Sequence, residues 1–490
     1  MLAALALVGL IGIAGLAVDI GYFYTARRQM QTAADAAAIA GINAELGSQN
    51  SDYQQAALDV ATINGFTNGA NGVTVTVEPP ANPPNPSTNT YVEVDIARAT
   101  ATDFLAVLGY KTINVKVSAI AGTTNGPACL YVLDPSVSGG MSLTGNINVN
   151  ANCAVFVDST SSSGLQISGN GNFNATSIGV AGNYSLNGNA TVSPKPHINI
   201  AAVGDPLASL APPNVPTCTQ ASVTNSGSYQ VTGNNQVVSI LPGVYAKGIS
   251  ITGNSAIITF AAGTYGNNVS LGNNIASATL NPGQYQSGGS GDSVDIAANG
   301  TVVFNTGQYT FCGALSISGN TVITLNPGLY SGGIRITSNS NITFKPGTYI
   351  LAGGGLSVTG NAQLSGTGVT FYDTTGPGGY QPITFSGNVT ANLSAPTSGP
   401  LAGILFFQDR SVAYSSSNGS TIVGNSNSSF DGALYFPTTA LTYTGNSSLQ
   451  GYTFVIADRL SMSGNVTATL GSNYSSLANG SPIKSTALYQ

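Results

Sequence analysis

A Gly-x-Tyr motif recurs six times through the middle of the chain: PGVY at 242–245, AGTY at 262–265, PGQY at 282–285, TGQY at 306–309, PGLY at 327–330 and PGTY at 346–349. The tyrosines are 20, 20, 24, 21 and 19 residues apart. A repeat of this length is one supersecondary unit that cannot bury its apolar face alone, so its copies must stack. Five positions before each Tyr stands Ile240, Phe260, Leu280, Phe304, Leu325 or Phe344, and after it comes an alternating apolar pair such as Ile249/Ile251 or Leu356/Val358. A small-Asn turn follows, at Gly253-Asn254, Gly319-Asn320, Ser338-Asn339 and Gly360-Asn361. Each repeat reads as two short strands joined by two sharp turns. Pro-Gly suits one turn, and Asn tolerates the left-handed backbone of the other. Stacked at about 4.8 Å with about 20 residues per coil, such units make a mainly-β parallel β-helix, in which Tyr ladders on Tyr and Asn on Asn.

Weaker copies flank the core repeats: LTGNINV, ISGNGNF and LNGNATV before, FSGNVTA, YTGNSSL and MSGNVTA after. The solenoid is therefore assigned to residues 123–490. A Pro-rich stretch near 194–219 interrupts it and is expected to cross outside the coils or cap a face, and QSGGSGD after Tyr285 reads as a surface insertion.

Composition narrows the chemistry. Charged residues make up 6% of the 490, apolar residues 42%, and there is no Trp. Lys and Arg total 12 against a formal charge of −6, with no basic stripe, so nucleic acid is not an expected partner. The four cysteines, Cys129, Cys153, Cys218 and Cys312, form no CxxC pair, which argues against zinc. An even count on a translocated body suggests disulfides, with four buried thiols as the alternative. Of the three possible pairings, Cys129–Cys153 with Cys218–Cys312 is favoured.

The first 18 residues, MLAALALVGLIGIAGLAV, are apolar and uncharged. Extended through Tyr22, Phe23 and Tyr24, the run reaches the ~20 residues of a bilayer span and ends in an aromatic belt. Arg27 and Arg28 follow, a placement that alone would put the body in the cytoplasm; the disulfide-capable, nearly uncharged body outweighs it. Asp19 is expected to reach the interface or to pair with a neighbouring subunit, because carboxylates inside a membrane are costly. The helix continues to about Leu46, half in the membrane and half as a projecting stalk roughly 35 Å long. Its small residues (Gly9, Gly12, Gly15, Ala33, Ala37, Ala40) permit packing against another helix.

The stretch GLAVDIGYFYTARRQMQTAADAAAIAG resembles the N-terminal signature of TadE/TadG-like proteins of tight-adherence (Flp-type) pilus systems. The matching positions are Val18, Asp19, Gly21, Arg27, Gln31, Ala34, Asp35, Ala36 and Ala37. The usual basic leader before the span is missing from this sequence. The order of Cys129, LYVLDPS, SLTGN, Cys153, DPLASL and the PGxY turns also resembles the C-terminal halves of some large TadG-like proteins. The resemblance implies a single-pass inner-membrane protein of bacteria, with its body in the periplasm or at the cell surface. Its implied partners are the membrane and other pilus or envelope proteins, or further copies of itself joined through Asp19, Gly21, Arg27, Gln31 and Asp35.

Between the helix (1–50) and the solenoid, residues 51–122 read as a small α+β module. Its parts are a helix at 51–64 capped by Ser51, strands in NGVTVTVE, YVEVDIARA and KTINVKVSAIAG, a Pro-rich loop ANPPNPSTN and a short apolar helix in TDFLAVLGY.

Parallel β-helices can act on polysaccharides, which needs carboxylates close together. The body has no Glu after Glu93, and Asp292 and Asp295 read as loop acids. Asp373, Asp409 and Asp458 each follow a similar strand (TFYD, FFQD, FVIAD) and would stack as one edge able to bind calcium or a cationic sugar, with Arg410 and Arg459 partly neutralising it. His197, the one histidine, reads as a loop residue between prolines. No nucleophile elbow, P-loop or zinc-protease motif occurs. The chain is therefore expected to be a membrane-anchored structural or adhesive envelope protein with no enzyme activity, cofactor or metal. The alternatives are a filament subunit polymerising through its helix, and a polysaccharide-active enzyme.

Overall fold

The computed structural model describes residues 2–47, 52–83, 90–125, 128–218, 227–272, 274–288, 291–337, 339–424, 428–445, 448–449, 453–471, 474–478 and 480–489. Ser51, part of the Pro-rich loop, part of the QSGGSGD insertion and Ser338 lie outside them, as do the side chains of residues 1–9 and 11, the first half of the expected membrane span. Among the described residues no helix is long and apolar enough to cross a membrane. The chain divides into two compact units, one of Met1–Gly126 with Pro206–Leu210 and Ile483–Gln490, the other of Pro127–Asp205 with Ala211–Pro482.

The first unit is built on one continuous helix, α1 (Leu2–Gly47). Met30, Ala33, Ala34, Ala37, Ala38 and Ile42 recur at the i, i+3, i+4 spacing that makes one stripe, and all are buried. The stripe packs with Ala57 and Ala61 of α2 (Tyr53–Ile63) and with the Val-rich faces of β1 (Val73–Glu78), β2 (Tyr91–Ala101) and β3 (Thr112–Asn125). The expected free stalk is therefore corrected: the second half of α1 is core. Small side chains let the helix lie close, and even at Gly41 an added Cβ would stand 3.1 Å from Val92 Cγ1. α2 is capped by Asp52, whose side chain accepts from the Gln55 N–H. The three strands are antiparallel neighbours, and a fourth, Lys484–Tyr489, joins β3 from the other end of the sequence. The short helix expected in TDFLAVLGY is one 3-10 turn, Leu105–Leu108, ended by Gly109 at φ +96°.

The second unit is a parallel β-solenoid of about 14 turns with about 22 residues per turn. It has three strands per coil where two were expected. Gly263–Gly266, Val269–Leu271 and Ser277–Leu280 form one coil, on which Gly283–Tyr285, Asp292–Ile296 and Thr301–Phe304 stack as the next. The Gly-x-Tyr segment looks like a turn in isolation. It becomes a strand because the coils above and below supply hydrogen-bond partners for its backbone.

The order of the coils in space differs from their order in sequence. From Tyr229 the coils rise one on another to the last, Phe454–Gly464 with Thr467–Leu470. On that last coil sits the first: β4 (Ala128–Val132), β5 (Met141–Gly145) and β6 (Asn148–Ala151) pair in parallel with it, through Leu130↔Val455, Leu143↔Met462 and Val149↔Ala468. The second and third coils continue upward, with Val155 over Leu130 and Ile178 over Val155. The chain must then return from the top coil to the bottom one. The segment between Ile198 and Tyr229, the strap, makes this return. Fourteen coils at about 4.8 Å span roughly 65 Å, and the strap can reach roughly 100 Å.

Candidate functional site

The acidic side chains of the solenoid are the natural place to look for chemistry, and most are taken up in holding coils and strap together. Asp158 accepts the backbone N–H groups of Val203 and Gly204, both at 2.9 Å. Asp205 accepts the Tyr435 hydroxyl at 2.6 Å and faces Arg410 Nε at 3.7 Å. Arg410 lies over the rings of Phe407 and Tyr435, with its Cζ 5.5 Å from each centroid. Further along, the strap is tied down by the Cys218–Cys312 disulfide. The other disulfide, Cys129–Cys153, joins the first two coils, so the favoured pairing is the one present.

The three aspartates expected to share an edge do not. Asp373 is opposite Gln408, not Asp409, so the row is out of step by one residue, and one residue reverses the face. Asp373 points inward and is fully buried beside the Tyr380 hydroxyl; burial pushes its carboxyl well above the usual range. Asp409 is only partly buried. Burial opposes its charge, but hydrogen bonds from Thr374 Oγ1 (2.6 Å), the Ser411 N–H (2.9 Å) and the Tyr372 hydroxyl (3.0 Å) hold its carboxyl below the usual range. Asp458 lies 3.5 Å from Arg459 Nε, and burial, reinforced by the charge of Asp134, raises its carboxyl. Arg459 joins Asp134 of the first coil at 2.7 Å, and this ion pair lies at the seam between last and first coils. Burial works against the charge of Asp134, but the N–H groups of Ser136 and Val137 and the Arg459 guanidinium lower its carboxyl all the same.

Asp292 and Asp295 also depart from expectation: they lie in a strand, not a loop. Asp292 pairs with Arg335 at 2.9 Å, and burial, followed by the charge of Asp292, raises the Asp295 carboxyl. His197 is exposed on a two-residue strand of the top coil, opposite Gly179. Among the described residues no group of three His, Cys, Asp or Glu could hold a metal ion.

The motif tyrosines are interior. Tyr265, Tyr285 and Tyr349 are fully buried, and a stacked aromatic column runs Tyr265, Tyr285, Phe311, Tyr330, Tyr349, Phe371, with centroids 4.8–5.9 Å apart. Each hydroxyl closes its own turn. Tyr349 Oη lies 2.9 Å from the carbonyls of both Lys345 and Leu325, and Tyr265 and Tyr309 repeat the arrangement. What does face solvent is amide: Asn465, Asn146, Asn170 and Asn189 form a ladder at 3.0–3.2 Å that crosses the seam from last to first coil.

On α1, Asp19 is buried, and its carboxylate accepts three consecutive backbone N–H groups of the same unit: Asp103 at 3.0 Å, Phe104 at 3.0 Å and Leu105 at 2.7 Å. These are the donors that the start of the Leu105–Leu108 turn leaves open, and an anionic acceptor there is favourable. Asp19 thus has a partner within its own unit. Gln31 donates to Asp35 and to the Ser118 carbonyl, both at 2.9 Å. Arg27 and Arg28 are exposed and, with Tyr24 and Tyr489, line a groove of about 600 Å³ against β3. A Cβ at Gly21 would meet nothing within 4 Å. Nothing in the sequence marks the 103–105 amides as partners of Asp19, because the contact joins segments about 85 residues apart.

Residues 1–46 match the Flp pilus-assembly TadE/G-like (Tad) family. No curated protein and no solved structure matches the chain.

Proposed function

We propose that this chain is a membrane-anchored structural and adhesive envelope protein associated with Flp-type pilus assembly, held in the bacterial inner membrane by the first half of α1 and carrying its solenoid in the periplasm or at the surface. The TadE/G-like match over the residues that form one unbroken helix carries this reading. Its apolar half keeps exposed large side chains (Leu10, Ile13, Leu16, Val18, Ile20), while its other half is committed to its own module. The two disulfides support an oxidising compartment. A non-enzymatic role fits the structural use of Asp158 and Asp205 at the strap, Asp134 and Asp458 at the seam, and Asp409 at its turn. The amide ladders then supply a stiff, polar, nearly uncharged surface suited to glycans or another envelope protein.

Fractionation of cells expressing the chain tests the anchor. The expected result is a carbonate-resistant inner-membrane protein; recovery in the soluble fraction overturns it. Immunogold labelling with an antibody to the solenoid separates the roles. Label confined to the envelope fits an accessory protein, and label along filaments would instead make α1 a polymerisation helix, which its exposed apolar half also permits.

A further inference from the structure

The Leu105–Leu108 turn is an apolar tip with no covering. Phe104, Val107, Leu108 and Tyr110 are 45%, 85%, 73% and 66% exposed. It is fastened beside the apolar half of α1 at two points. The Asp19 carboxylate takes the three N–H groups that open the turn. One helical turn nearer the N-terminus, Phe104 lies against Gly15, where an added Cβ would stand 2.3 Å from Phe104 Cδ1. Residues 15–19 lie roughly 7–14 Å along the helix from Tyr24 at ~1.5 Å per residue. If Tyr22 and Tyr24 mark the membrane surface, the tip lies at the depth of the upper acyl chains.

We propose that this turn is a second membrane-inserting element, a wedge that enters the headgroup–acyl boundary of a phospholipid bilayer beside α1. The proposal rests on the membrane anchor proposed above. Ile13 and Leu16 flank Gly15, on which Phe104 packs, and they are exposed like Val107 and Leu108 of the turn, which argues for lipid as the occupant. The wedge also accounts for an acidic residue in the apolar helix: Asp19 reaches membrane depth already satisfied by backbone donors, which removes most of the cost of an unpaired carboxylate there. Asp103 and Lys111 bracket the tip in sequence. The sheet is thereby held against the membrane at two points, which fixes the module's tilt where one helix would leave it free to swivel.

The chain contains no Trp, so single reporters can be read directly. Leu108→Trp, Ile13→Trp and, as a solenoid control, Val237→Trp are placed in the full chain at exposed positions. Each variant is reconstituted in phosphatidylethanolamine–phosphatidylglycerol vesicles with and without brominated acyl chains. The expected result is a blue-shifted emission and loss of intensity in bromolipid for the Leu108→Trp and Ile13→Trp variants, with none for Val237→Trp. Quenching of Ile13→Trp alone overturns the wedge and leaves the anchor standing. A blue shift at position 108 without bromolipid quenching means that protein, such as a second copy, covers the tip, and overturns the wedge. Quenching of neither reporter overturns the wedge together with the anchor.

Discussion

Asp373 is a carboxylic acid whose charge the solenoid disfavours. It is fully buried, and burial raises its carboxyl well above the ordinary range. In the unfolded chain such a group ionises near about pH 3.9. Above that pH the unfolded state releases a proton that the fold retains, so Asp373 subtracts stability as pH rises, until its own raised pKa is reached. Asp373→Asn keeps the size and the neutral donor and removes the penalty. We expect equal melting temperatures for the two proteins near about pH 3.5 and a higher one for the variant at neutral pH; an offset that does not change with pH would refute the assignment. The tyrosines of the column act differently, through one hydroxyl each. Tyr349→Phe preserves the ring stack and removes the bond at Lys345 and Leu325, and should cost about 1 kcal/mol. The midpoint of urea unfolding reads it, and an unchanged midpoint would make the hydroxyl incidental.

At the scale of single elements, the column survives changes of register because they come in steps of two. Tyr265 is opposite Tyr285, but Tyr285 is opposite Phe311, with Tyr309 two residues earlier opposite Gly283. Likewise Tyr330 is opposite Leu351, and Tyr349 is opposite Gly328. A step of two keeps side chains on the same face, whereas a step of one, as between Asp373 and Asp409, sends them to opposite faces. The Gly-Asn turns tolerate no such drift. Gly464, Gly145, Gly169 and Gly188 stack at positive φ, and a Cβ on Gly169 (φ +94°) would stand 2.7 Å from the Gly145 carbonyl oxygen. Gly169→Ala combines a left-handed backbone with a clash against main chain and should destabilise by about 2–4 kcal/mol. Gly204→Ala, at φ +76° with open space around it, carries the backbone term alone and should cost clearly less by the same urea titration.

For the molecule as a whole, the decisive feature is the seam where the last coil receives the first. It is held by parallel ladders on three walls, by Arg459 with Asp134 and by the Asn465–Asn146 amide pair. Neither disulfide crosses the strap between Asn214 and Val215, since Cys129–Cys153 lies before that point and Cys218–Cys312 after it. A specific protease site inserted there should therefore yield two fragments that co-elute on gel filtration under non-reducing conditions. Separation of the fragments would mean that the strap, not the seam, holds the first three coils.

The repeat, its apolar offsets and the Gly-Asn turns were enough to read a stacked parallel solenoid, because a unit of this size has no other way to bury its face. The apolar N-terminal run and its TadE/G-like signature were equally legible, being local patterns. Local pattern could not give the third strand of each coil, since the Gly-x-Tyr backbone finds its partners only in neighbouring coils. Nor could it give the inward tyrosines, the dispersal of Asp373, Asp409 and Asp458, or the packing of Ala33 and Ala37 into their own module. Register and the contacts of Asp19, Asp158 and Asp205 depend on segments far apart in sequence. The closure of the C-terminal coils by the N-terminal ones depends on which free sheet edges meet, and only the folded chain brings those edges together.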